Sequence, residues 1–316
     1  MLATWGCVSF VALPVVQWGV LQRTDRAWVR YGIVAPVFAA MAACTRALPV
    51  ADGPEKYAAG ALVVFFGARV VGACGGGADA LRTRAGVDSF ARFYAWFVVP
   101  GQVRFFAKQS EERGRLDGAA NVAIGVAHLV AFRAALRALA ALADASPAAA
   151  RALDGPAWPA LYFGLFAVMA SRGLLSGLVR GAAQLLLGGG VQIDDPFPWR
   201  ALWPAPRSLP GLWRAWNNSV GRSLQIGVRS SAAVFLASGL LHELQAYVAG
   251  GPRGLSLAFF AVQGAGCALD RVLVQRGYGV LSMPLALSVL GASLPLISAA
   301  SFSPASFSEA RAKFAV

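Results

Sequence analysis

"FLASGLLHEL", residues 235–244, lies inside a run of small and apolar residues from 230 to 249. A helix needs about 20 such residues to cross the hydrocarbon core of a bilayer. The run shows no alternation with period two, so it reads as a membrane helix and not as a barrel strand. Yet it carries His242 and Glu243 side by side, in a chain of 316 residues with only two histidines. Polar side chains inside a span are costly, and they are the first places to look for function.

The rest of the chain follows the same pattern. Apolar runs fall near 4–21, 28–47, 57–75, 90–107, 119–142, 159–187, 230–249, 255–273 and 279–300. They predict an all-α polytopic membrane bundle of eight or nine transmembrane helices, forming one domain over 1–316. Charged residues make up 14% of the chain and apolar ones 57%, with a mean hydropathy of +0.58. A water-soluble domain carries about 25% charged residues. The net charge of +13 fits basic loops on anionic headgroups. No basic stripe with interleaved aromatics lies outside the apolar runs, which argues against nucleic acid. Cys7, Cys44, Cys74 and Cys267 form no CxxC pair and read as small buried apolar residues. The first run lacks a basic segment before it, so it is read as a span and not as a cleaved signal. The fourth run is short and holds Pro100 and Gly101, so it is expected to kink or to lie in the interface, with Arg92 and Arg104 snorkelling. The sixth is too long for one simple crossing.

The longest break between spans, 188–229, opens "GGGVQIDDPFPWRALWPAPR", which cannot be regular structure. Then comes "SLPGLWRAWNNSVGRSLQIGVRSS". Ser208 is a candidate N-cap with Pro210 in the first turn. Trp213, Trp216, Val220 and Leu224 share one helical face, which predicts a single amphipathic helix lying in the interface. Asp194 and Asp195 lack further ligands for a metal and read as loop solvation or capping, and no metal site is expected. The glycines 75–77 lack the context of a nucleotide loop.

Within the span that opened this section, Ser238, His242 and Gln245 share a small, polar face. Glu243 points about 100° away and is expected to pair with an arginine or to orient backbone. His128 is read as an interhelical hydrogen bond. The order of the amphipathic segment, "FLASGLLHEL" and "LAFFAVQGAGCALDR" resembles the plant-type wax synthase family of the membrane-bound O-acyltransferases. The likeness covers about 194–275. It departs from the family at Leu212-Trp213-Arg214-Ala215-Trp216, where the family's glycine and one of its arginines are missing. The resemblance implies acyl transfer from a fatty acyl-CoA to a long-chain alcohol, with acyl-CoA as co-substrate and no other cofactor. His242 and Asn217 match the family's catalytic pair, with Asn218 the alternative if the register differs by one. A neutral imidazole suits the deprotonation of an alcohol, and an amide suits an oxyanion. No GxSxG elbow offers a covalent nucleophile, so direct transfer is expected. Ser238, Gln245, Trp213, Trp216, Arg214 and Arg222 are candidate substrate contacts. Arg172 and Arg180 join Arg214 and Arg222 as candidates for the CoA phosphates, with snorkelling as the alternative for each.

Two other readings remain open at this stage. One keeps the chemistry and changes the acceptor to a sterol, a diacylglycerol or a terpenoid alcohol. The other is a small-solute transporter with His128, Arg172 and His242 along its path. The expected location is the endoplasmic reticulum membrane, or the inner membrane in a bacterium.

Overall fold

The computed structural model describes residues 2–50, 54–99, 102–105, 111–155, 158–187, 191–195, 208–216, 218–300 and 306–314. Helix α1 (Leu2–Leu21) turns into α2 (Ala27–Arg46), and both pack on the long α3 (Pro54–Ala85). Gly77 breaks the regular path of α3 with φ of 78°, a backbone region that suits glycine. A break of this kind strands helix carbonyls. Helix α2 bonds to carbonyls of α3 on the N-terminal side of this break: Arg30 Nε donates to Cys74 O at 2.7 Å, and Tyr31 Oη donates to Val71 O at 2.9 Å.

The fourth apolar run breaks before its proline, in keeping with the expected kink. Helix α4 covers only Phe90–Val98, about 13 Å of rise, against a hydrocarbon core of about 30 Å. Ser89 caps its start, and Val99 is extended, as a residue before proline prefers. The run ends in a strand, β1 (Gln102–Arg104), and its helix is too short to be a candidate span. Arg92 pairs with Asp88 at 2.6 Å. Strand β1 pairs antiparallel with β2 (Gln192–Asp194), Val103 facing Ile193, and both side chains are buried.

Helix α5 (Glu111–Ala145) is followed by the short α6 (Pro147–Leu153) and then by α7, an unbroken helix over residues 158–187 that is π-helical from Phe166 to Val179. Glycines let α5 and α7 touch backbone to backbone. A Cβ on Gly125 would lie 2.7 Å from Gly173 O, and one on Gly181 would lie 2.7 Å from Gly118 O. Gly173, Gly177 and Gly181 thus form a small-residue seam of the kind that joins helices in lipid. Asn121 and Gln184 bond across it at 2.7 Å.

The predicted single amphipathic helix is two. Helix α8 (Leu209–Ala215) ends at Trp216, whose backbone is extended, and α9 (Asn218–Gly227) follows. Ser208 caps α8 as the sequence suggests, accepting from Gly211 N at 3.1 Å. Helix α9 faces protein and not lipid: Val220 and Leu224 are buried with Val64 and Ala68 of α3. The glycines of "CGGG" permit this contact. A Cβ on Gly75 would lie 2.8 Å from Gly227 O, and one on Gly72 would overlap the Ser223 carbonyl. Helices α10 (Ser231–Val248), α11 (Leu255–Gln275), α12 (Ser282–Ala300) and α13 (Phe307–Phe314) complete the chain.

Among the described residues the regular structure is thus helical apart from one short ladder. Among the described residues, six helices are long and apolar enough to cross a membrane; the bent pair α9–α10, at 119°, brings the count to seven if it forms one span. Apolar side chains such as Leu116, Val130, Leu236 and Leu287 face outward, where lipid is their natural solvent. The main core gathers Leu13, Val34, Met41, Phe66, Phe93, Trp96 and Phe97. The buried cation Arg69 lies over Trp96, 4.2 Å from the ring centroid.

Candidate functional site

Helix α10 approaches α11 where small residues allow it. A Cβ on Gly239 would sit 3.1 Å from Phe260 Cβ, and one on Gly264 would sit 3.3 Å from Phe235 Cβ. One turn past Gly239, His242 projects onto α11. Its imidazole lies almost parallel to the Phe260 ring, with centroids 4.9 Å apart and planes 13° from parallel. His242 Nδ1 lies 2.9 Å from Gln245 Oε1. Gln245 itself is buried, and its side chain meets the imidazole. The expectation had it contacting substrate. Ser238, half-buried, stands one turn before His242.

Phe260 joins His242 to a larger aromatic group. Trp213 of α8 packs on Phe260 at 5.7 Å, edge-on to Phe235 at 5.5 Å and against Phe259 at 6.1 Å. The Trp213 indole donates to Gln263 Oε1 at 3.1 Å, Gln263 Nε2 donates to Ser293 Oγ at 2.6 Å, and Ser293 Oγ donates to Val289 O at 2.7 Å. Gln263 and Ser293 are both buried. A buried polar chain satisfied in this way fixes its members in place. It pins α8 to α11 and α12, just before the segment that holds Asn217.

Glu243 takes the backbone role. Its two carboxylate oxygens accept from the N–H groups of Gly254 and, at 3.3 Å, Leu257, at the start of α11. A carboxylate there meets unpaired N–H groups and the positive end of the helix dipole. Helices α10 and α11 are therefore locked together one residue beyond His242.

Other expected residues fall elsewhere. Asn217 lies outside the described residues, and of Asn218 only the backbone is described. Trp216 is half-buried at the break between α8 and α9, so Trp213 and Trp216 do not share one continuous helix face. Arg214 turns back on its own helix, Nε to Pro210 O at 3.3 Å. Arg222 pairs with Asp194, Arg172 with Asp195 at 3.6 Å, and Arg180 Nε donates to Ile193 O at 2.8 Å. Asp194 and Asp195 thus anchor arginines around β2 and are not loop solvation. His128 Nδ1 lies 2.8 Å from Ile124 O of its own helix, so its bond is not interhelical. Cys74 and Cys267 are buried, but Cys7 is exposed. Among the described residues no three His, Cys, Asp or Glu side chains gather where an ion would sit.

The chain matches no family model, no curated protein and no solved structure. The site therefore stands on its own geometry. It holds one imidazole inside a mainly apolar, aromatic wall of α8, α10 and α11; among the described residues one ring nitrogen is bonded, to Gln245, and the other has no partner. Phe260 and Gln263 did not emerge from the sequence as site residues. The signal was present in "FFAVQ", which places a glutamine one turn after an aromatic pair inside a span.

Proposed function

We propose that the protein is an acyltransferase that moves a fatty acyl group from acyl-CoA to the hydroxyl of a lipophilic, long-chain alcohol, giving a wax ester. The observation that carries this reading is His242. It is a histidine held by Gln245 and stacked on Phe260 inside a mainly apolar, aromatic wall. An alcohol that partitions into lipid reaches such a wall from the bilayer. The imidazole accepts the hydroxyl proton as the oxygen attacks the thioester carbon. The carbon–sulfur bond breaks, and the imidazolium returns the proton to the departing thiolate. General-base help of this kind contributes about 10²–10⁴-fold.

The likeness of residues 194–275 to the wax synthase family of membrane-bound O-acyltransferases supports the choice of reaction. In this reading Asn217 or Asn218 steadies the oxyanion. Acyl-CoA is the co-substrate, and the endoplasmic reticulum membrane, or a bacterial inner membrane, is the setting. A sterol, diacylglycerol or terpenoid acceptor uses the same chemistry. A small-solute transporter, with His128, Arg172 and His242 along its path, is the alternative of another class.

The test is ester formation in microsomes of a lipid-storage-deficient yeast expressing the chain. Labelled palmitoyl-CoA is supplied with hexadecanol, a sterol, diacylglycerol and a terpenol in parallel. Hexadecyl palmitate as the main product supports the reading. Ester on another acceptor keeps the mechanism and changes the substrate. Uptake of solute into vesicles without any ester overturns it.

A further inference from the structure

A neutral imidazole carries one hydrogen on one of two nitrogens, and its neighbours choose which. A carboxamide oxygen only accepts. Gln245 Oε1, 2.9 Å from His242 Nδ1, therefore calls for the hydrogen on Nδ1 and leaves the lone pair on Nε2. In water, an unrestrained neutral histidine favours the opposite arrangement.

The surroundings hold this choice in place. Gln245 is 3% exposed. The α3 backbone lies against it at Gly60, where a Cβ would sit 3.1 Å from Gln245 Cγ and 3.4 Å from Gln245 O. The helix backbones are therefore close at the root of the Gln245 side chain. Phe260 covers one flat face of the ring and blocks its rotation. Glu243, the nearest carboxylate in sequence, is engaged by the start of α11 and leaves the imidazole to Gln245.

We propose that Gln245 is a positioning residue: its carboxamide oxygen fixes His242 as the Nδ1–H tautomer and keeps Nε2 as the open basic nitrogen. This rests on His242 being the base of the acyl transfer above. As the hydroxyl proton moves to Nε2, the ring becomes cationic and its Nδ1–H bond to Gln245 strengthens. Charge-assisted bonds are roughly twice as strong as neutral ones, so the contact favours the transition state over the ground state.

The experiment uses full-length protein in lipid nanodiscs with 15N-labelled histidine. Only two histidines report, and His128→Gln assigns them. The expected wild-type spectrum shows a pyrrole-type Nδ1 and a pyridine-type Nε2 for His242. In Gln245→Leu that single-tautomer pattern is lost. There kcat falls about tenfold or more while KM stays within about twofold, the mark of an interaction made in the transition state. Gln245→Glu, which keeps an acceptor at the same reach, restores the pattern and most of kcat. A wild-type His242 protonated on Nε2, or a pattern unchanged in Gln245→Leu, overturns the proposal, and the first result needs no variant to fold. A rise in KM with kcat unchanged also overturns it and makes Gln245 a substrate contact. A Gln245-dependent Nδ1–H tautomer in protein that forms no ester leaves the tautomer assignment standing and removes the acyl-transfer reading on which its catalytic role rests.

Discussion

His242 and Phe260 come from different helices, and their rings face each other at 4.9 Å, 13° from parallel. The approach is set on both sides: Gly239 lets α11 come close, and Glu243 ties α10 to the first turn of α11. The imidazole is thus held by a wall and not by a loop. Phe260→Leu keeps an apolar side chain but removes the flat face. Aromatic pairs add about 0.5–1.5 kcal/mol beyond burial, so turnover is expected to drop roughly two- to tenfold. Steady-state kinetics of the variant check this, and an unchanged kcat would show that the stacking is incidental.

Glu243 is expected to contribute to stability more than to chemistry. Removing a helix cap costs about 0.5–2 kcal/mol. Glu243→Leu should lower the thermal midpoint in detergent, and Glu243→Gln, which keeps an oxygen for one N–H, should lower it less. Equal midpoints for all three proteins would count against the cap.

The seam between α5 and α7 makes a steric prediction. A Cβ on Gly177 would lie 2.7 Å from Gly125 N. Gly177→Leu has no flexible neighbour to displace, so the helices must part; overpacking costs about 1–3 kcal/mol or more. Gly32→Ala in α2, with nothing near its Cβ, is the matched control and is expected to be neutral or stabilising by up to about 1 kcal/mol. Thermal unfolding of both variants, side by side, reads the difference.

Trp213→Phe keeps the ring and removes the donor to Gln263. A buried acceptor left unpaired costs about 1–3 kcal/mol. Gln263→Leu in the same chain removes the stranded oxygen, so the double variant should recover part of the loss. A double-mutant cycle on unfolding free energy isolates this coupling; strictly additive effects would mean that the bond contributes nothing.

The membrane-helix class of the fold was legible because it depends on composition and length, which the sequence carries openly. The helix containing His242 and the cap at Ser208 were legible for local reasons as well. What was hidden depended on distant partners. Pro100 and Gly101 announced the break in residues 90–107, but not that Val103 would pair with Ile193 of β2. Val220 and Leu224 mark an amphipathic face, yet periodicity cannot say whether lipid or the glycine-rich groove of α3 receives it. The glycines at 72, 75 and 227 decide that, and their role appears only when two backbones meet. At the site, His242 was legible as a rare polar residue in a span. Its partner was visible as well, since Gln245 is one turn away, but its task was not: a glutamine on the same face serves equally well as a substrate contact. The destinations of Arg222 and Arg172, on Asp194 and Asp195, required the fold.

The most direct test of the account is ester synthesis by purified protein in lipid nanodiscs, given labelled palmitoyl-CoA and hexadecanol, with His242→Ala measured beside the wild type. The account predicts hexadecyl palmitate from the wild type and a rate lower by about 10²–10⁴-fold from the variant. Ester formed by His242→Ala at the wild-type rate, or none formed by folded wild-type protein with any lipophilic alcohol, would contradict it.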